Sequence, residues 1–93
     1  MKPPKKSDRP LDWLPTGQSI SRVFIFKNFQ GSIDFVNRVA RCAEEDNHHP
    51  DIDIRWDKVT LTFSTHSEGK VTEKDYRMSA KCDEIYSATQ GSS

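Results

Sequence analysis

The period of the apolar residues changes across Pro50, and that change excludes a fold built from helices or strands alone. Before it, Phe29, Ile33, Val36, Ala40 and Ala43 recur at spacings of four and three, which places them on one helical stripe. After it, Ile52, Ile54 and Trp56 alternate with Asp51, Asp53 and Arg55. Past Asp57-Lys58, Val59, Leu61 and Phe63 alternate with Thr60, Thr62 and Ser64. Proline has no amide hydrogen and pushes the residue before it, His49, toward an extended backbone, so the helix cannot run far past Asn47. Asn28 suits the N-cap. The alternating residues predict a hairpin with one buried face.

The rest of the chain extends this pattern. Leu11 to Leu14 is a short apolar patch, Pro15-Thr16-Gly17-Gln18 is rich in turn formers, and Ile20 to Phe26 is dense in β-branched and aromatic residues, which predicts a first hairpin. Thr72-Glu73-Lys74-Asp75 resembles a capping box and starts a second helix that runs toward Tyr86. The expected fold is α+β: a four-stranded antiparallel sheet with helices packed on one face, in the order β-β-α-β-β-α. Residues 1–10 hold three prolines and four basic side chains with nothing to bury, and are expected to be a disordered arm. Residues 11–88 are expected to form a single domain and residues 89–93 a frayed tail.

Composition narrows the class of function. In 93 residues, 33% hydrophobic and 30% charged, nine aromatic side chains (five Phe, two Trp, two Tyr) concentrate the apolar content, and self-association would help so short a chain. Lys plus Arg and Asp plus Glu balance at 14 each, so no overall field favours nucleic acid or an anionic membrane. Two cysteines, Cys42 and Cys82, are too few for a disulfide scaffold and are read as reduced thiols. With no apolar run behind the basic start and none long enough to span a bilayer, the expected location is the cytoplasm.

The three histidines all fall at element ends, where sites usually sit. His48 and His49 leave the first helix, and successive extended residues point to opposite sides, so both reach one molecule only if the connection bends. His66 follows the second hairpin on the face of Thr60, Thr62 and Ser64, turned away from the expected core. Imidazoles titrate near neutrality and can serve as acid and base in one reaction. The same residues also suit a zinc centre with Glu44 or Asp75, although neither H-E-x-x-H nor Cys-x-x-Cys occurs. Ordinary surface imidazoles are a third reading. Glu44 lies one turn before His48 and can orient an imidazole or be a solvated helix charge. Asp75 sits where a helix start stabilises a carboxylate for purely structural reasons.

Glu44-Glu45-Asp46-Asn47-His48-His49-Pro50, with Thr65-His66 and Thr72-Glu73-Lys74-Asp75, resembles the signature of the pterin-4a-carbinolamine dehydratases. The likeness extends through Trp13, the run Phe24 to Phe29, Phe35, Val39-Ala40, Trp56 to Val59 and Ser64 to Gly69. It implies dehydration of 4a-hydroxytetrahydrobiopterin to quinonoid dihydrobiopterin, without metal or organic cofactor, in pterin recycling. It implies catalytic roles for His48, His49 and His66, with Glu44 and Asp75 as supporting carboxylates. Asn47, His48, His49, Ser64, Thr65, His66 and Ser67 would hold the pterin, with Trp13 nearby. The resemblance further implies a homodimer or homotetramer and, by analogy with members that act as dimerisation cofactors, a transcription-factor partner. A pterin-binding scaffold, or action on another pterin, are its alternatives. Lys70 stands where relatives often have glycine, so a strained turn is expected there.

Overall fold

The computed structural model describes residues 13–65 and 67–91. Along the chain run β1 (Leu14–Thr16), β2 (Ser19–Ile25), α1 (Phe29–Asp46), β3 (Asp51–Arg55), β4 (Lys58–Phe63) and α2 (Glu73–Gly91). The strands form one sheet in the order β1-β2-β4-β3, with every neighbouring pair antiparallel. The α+β architecture and the element order are those expected from the sequence.

Register explains how the core forms. Ile20 pairs with Phe63, and Phe24 with Val59, across the central β2–β4 ladder. Residues opposite one another share a face, so Ile20, Phe24, Val59, Leu61 and Phe63 make one buried surface, while Ser21, Thr60 and Thr62 on the other face are half-buried. Phe35, Val39 and Ala43 of α1 and Met78 and Cys82 of α2 complete the cluster. The Phe24 ring meets Phe35 at 4.7 Å and Tyr86 at 5.1 Å between centroids, joining sheet to both helices.

Asn28 caps α1 as expected, its Oδ1 accepting from the Gly31 amide at 2.8 Å. The buried stripe of α1, however, is Ser32, Phe35, Val39 and Ala43; Phe29 and Ala40 are exposed, while Ile33 and Val36 are half-buried. Two apolar lines lie side by side on this helix, and the one facing the sheet runs through Phe35 and Val39.

Both hairpin turns differ slightly from expectation. Pro15 and Thr16 are paired with Ile20 and Ser19, leaving Gly17-Gln18 as the turn, with Gly17 at φ 65. The missing amide of Pro15 is tolerated because β1 is an edge strand. In the second hairpin Arg55 pairs with Lys58, so Trp56-Asp57 is the turn and Trp56, at φ 58, leaves the strand with 74% of its surface exposed. The amide of Phe26 donates to the Asp57 carbonyl at 2.8 Å and anchors that turn to the end of β2. Helix α2 continues past Tyr86 and through Thr89. The basic arm 1–10 and the last two residues lie outside the described residues.

Candidate active site

The end of α1 sets the site. Asn47 adopts a left-handed conformation (φ 52, ψ 42), its amide donating to the carbonyls of Ala43 and Glu44, while the His48 amide donates to Ala43 at 3.1 Å. This is a Schellman closure with asparagine in the position that glycine usually fills. It supplies the bend that the two adjacent histidines require. His48 turns inward, with its side chain 14% exposed, and His49 stays outside at 53%.

Each of the two described imidazoles meets a carboxylate. His48 Nε2 lies 2.6 Å from Asp75 Oδ1, and His49 Nε2 lies 2.6 Å from Glu44 Oε2. The His48 ring also lies parallel to Phe63, 6.0 Å between centroids, so the strand core beneath it limits its tilt. Glu44 is largely exposed and its pair with His49 is screened by water.

Asp75 is fully buried. Its Oδ2 accepts from the Thr65 hydroxyl and from the Thr72 amide, both at 2.8 Å. The Thr72–Asp75 contact is half of a capping box, and the Asp75 amide in turn donates to the Thr72 carbonyl at 3.0 Å. Thr65 and Thr72 hydroxyl oxygens are 2.7 Å apart. Because the Thr65 proton is committed to Asp75, Thr72 donates to Thr65, and the chain of bonds ends on the carboxylate. With Asp75 accepting throughout, His48 presents Nε2–H to it, which leaves Nδ1 turned to other partners. No described residue bonds Nδ1 of either histidine.

These groups border a cavity of about 420 Å³. The α1–β3 connection contributes Asn47, His48, His49, Pro50 and Asp51; the β4–α2 connection contributes Ser64, Thr65 and Ser67, and α2 contributes Lys74. Six of the seven residues expected to bind a ligand thus line one space, with Glu44 and Asp75 one hydrogen bond behind it. The remaining one, His66, lies outside the described residues. Trp13 is in the core: its ring packs against Phe24 and Phe63, its Nε1 donates to Asp83 at 2.9 Å, and Phe63 separates it from His48. Lys70 has no left-handed backbone; it bridges Thr65, and Gly69 (φ 66) takes the strained position of the turn. Lys74, Phe63 and Thr72 were not expected at the site. Thr72 and Lys74 both lie in the segment Thr72-Glu73-Lys74-Asp75 that carried the capping pattern and the resemblance.

The family profile described as Pterin 4 alpha carbinolamine dehydratase matches residues 4–85. A Herpetosiphon aurantiacus protein with the provisional name pterin-4-alpha-carbinolamine dehydratase is 46% identical over 78 residues, 84% of this chain and 81% of that protein. One of the same name from Roseiflexus castenholzii is 49% identical over 73 residues, 78% of each chain. Among solved structures, a Brucella melitensis protein described as a transcriptional coactivator/pterin dehydratase superposes with a TM-score of 0.81 at 33% identity, covering 87% of this chain and 89% of that one. A pterin dehydratase-like RuBisCO assembly factor of the α-carboxysome shares the fold, with a TM-score of 0.67 at 19% identity, over 80% of this chain and 86% of its own.

Proposed function

Since this chain belongs to the pterin-4a-carbinolamine dehydratase family, we propose that it dehydrates 4a-hydroxytetrahydrobiopterin to quinonoid dihydrobiopterin, with His48 and His49 moving the protons. The observation that carries this reading is the pair of imidazole–carboxylate contacts, His48–Asp75 and His49–Glu44, bordering one cavity. In the reaction the C4a–O bond breaks with its electron pair, the N5–H bond supplies the electrons of the new C4a=N5 bond, and water leaves. One group must accept the N5 proton and another must protonate the departing hydroxyl. A neutral imidazole does the first and an imidazolium the second, so the two rings need different protonation states at the start of each turnover.

Asp75 and Glu44 are supporting groups in this scheme. Each holds the Nε2 of its histidine and so leaves Nδ1 for the substrate. His66, between the cavity residues Thr65 and Ser67, is the third candidate for proton transfer. Asn47, Ser64, Thr65 and Ser67 offer amide and hydroxyl groups to the amide-like edge of the pterin, and the cavity is in the size range of small-molecule sites. The chemistry calls for proton transfer alone, without a cofactor.

The decisive assay follows decay of 4a-hydroxytetrahydrobiopterin with the protein and with His49→Ala. Acceleration by the intact protein that falls in the variant supports the reading, and no acceleration by the intact protein sinks it.

Two further proposals accompany the reaction. The edge strand β3 exposes Ile52 and Ile54 on the helix-covered face, and Phe29 and Trp56 are also exposed, which supports self-association into a dimer or tetramer. Sedimentation of the intact protein and of Ile54→Glu tests this, and a monomer at all concentrations refutes it. Two free thiols, Cys42 and Cys82, suit a reducing cytoplasm, and no helix among the described residues is long and apolar enough to cross a membrane. The coactivator description of the Brucella relative favours a second, binding role with a protein partner. Retention of no partner in a pull-down counts against that role.

A further inference from the structure

A second hollow of about 160 Å³ lies beside the first. Asn47, His48 and Lys74 border both, and the smaller space adds Asp46, Arg77 and Met78. Lys74 and Arg77 are three residues apart on α2, so their side chains share one face of the helix. Neither cation forms an ion pair with a described carboxylate. The one carboxylate of this hollow, Asp46, is already engaged by Lys81 Nζ at 2.7 Å, a bond that holds the lysine pKa above its ordinary value. Lys74 and Arg77 also border a third hollow together with Glu68 and Glu73, neither of which is ion-paired to them. The small hollow is therefore bordered by two exposed cations that have no ion-pair partner among the described residues, next to a histidine.

The chemistry of a reduced pterin indicates what would use them. The carbon that bears its variable side chain, C6, is bonded directly to N5, the atom that loses the proton. A ring held with N5 at His48 starts its side chain where the two spaces meet. We infer that Lys74 and Arg77 form an anion subsite, and that the preferred substrate is a reduced pterin whose C6 side chain carries a phosphate or a carboxylate. This inference rests on the dehydratase reading for the placement of the ring, but its test is separable from that reading.

Binding of 7,8-dihydroneopterin, its 3′-monophosphate and dihydrofolate, followed by pterin fluorescence at low and high salt, tests the subsite. The expected result is that at least one anionic pterin binds about tenfold or more tightly than the neutral one, as a charge-assisted contact gives, with the preference shrinking as salt rises. Arg77→Gln should remove most of that preference, and Arg77→Lys should restore part of it. Preference for the monophosphate identifies phosphate as the recognised group; preference for dihydrofolate identifies carboxylate. Equal binding of all three, or a preference that survives Lys74→Gln with Arg77→Gln, overturns the subsite. If 4a-hydroxytetrahydrobiopterin decay is accelerated while the three probes bind equally, the subsite alone is lost. If decay is not accelerated but the anion preference persists and responds to Arg77→Gln, the subsite stands and the dehydratase reading falls. If none of the probes binds, the subsite falls, and the decay assay alone decides the dehydratase reading.

Discussion

His48 and Asp75 are 27 positions apart in the chain and 2.6 Å apart in space. Their contact joins the exit of α1 to the first turn of α2. The second pair, His49 and Glu44, is only 5 positions apart, belongs to one local segment, and is far more exposed. Equal distances thus describe two interactions of unequal strength.

Asp75→Asn should lower kcat by about 10- to 100-fold, the value of a charge-assisted hydrogen bond that water does not screen. Glu44→Gln, at a solvent-screened pair, should cost less than about fivefold. Steady-state kinetics on the two variants check the order. A KM effect alone, with kcat unchanged, would contradict a positioning role for Asp75.

The rate should follow a bell-shaped pH dependence, because one imidazole must enter neutral and the other protonated. Replacing either His48 or His49 with Gln should reduce kcat by roughly 10²- to 10⁴-fold and abolish one limb of the bell. A profile that keeps both limbs in both variants would transfer the proton chemistry to other groups.

Ser32 offers a test of the core. Its Oγ is fully buried and has no hydrogen-bond partner among the described residues. Ser32→Ala removes the unsatisfied hydroxyl and should raise stability by about 1 kcal/mol, whereas Asn28→Ala, which removes the α1 cap, should lower it by about 1 kcal/mol. Urea unfolding of the two variants should shift the midpoint in opposite directions.

Burial pushes the Cys82 thiol up from 9.0 to about 12. Between these values the unfolded chain releases a proton that the folded chain keeps, so the stabilising contribution of this thiol is complete below pH 9.0 and is lost as pH rises toward 12. Cys82→Ala should weaken the alkaline fall in stability measured by thermal unfolding. Iodoacetamide at neutral pH should modify Cys42, which is half-buried, and spare Cys82 until the chain unfolds.

What could be read from the chain depended on how local its cause was. The alternation at Val59, Leu61 and Phe63 was legible because one face of β4 is buried and the other is not. The Asn28 cap was legible because a cap closes over three residues. The buried line of α1 was misplaced because its neighbour, through Phe29 and Ile33, is apolar too. The turn at Trp56-Asp57 was hidden because the β3–β4 register imposes a left-handed backbone on a bulky residue that disfavours it. Trp13 was expected near the ligand, but its place under Phe63 follows from tertiary packing. The bend at Asn47, and with it the meeting of His48 and Asp75, depends on long-range contacts that no spacing in the sequence displays.

The carboxylate of Asp75 closes the first turn of α2 through the Thr72 amide and also holds His48. Helix initiation and imidazole placement thus share one group and cannot be adjusted independently at this position. The Thr72 amide is consequently a remote reporter of the cavity. A ligand that steadies His48 should slow deuterium exchange at that amide, and a variant that slackens the helix start should be felt at the imidazole before the fold itself gives way.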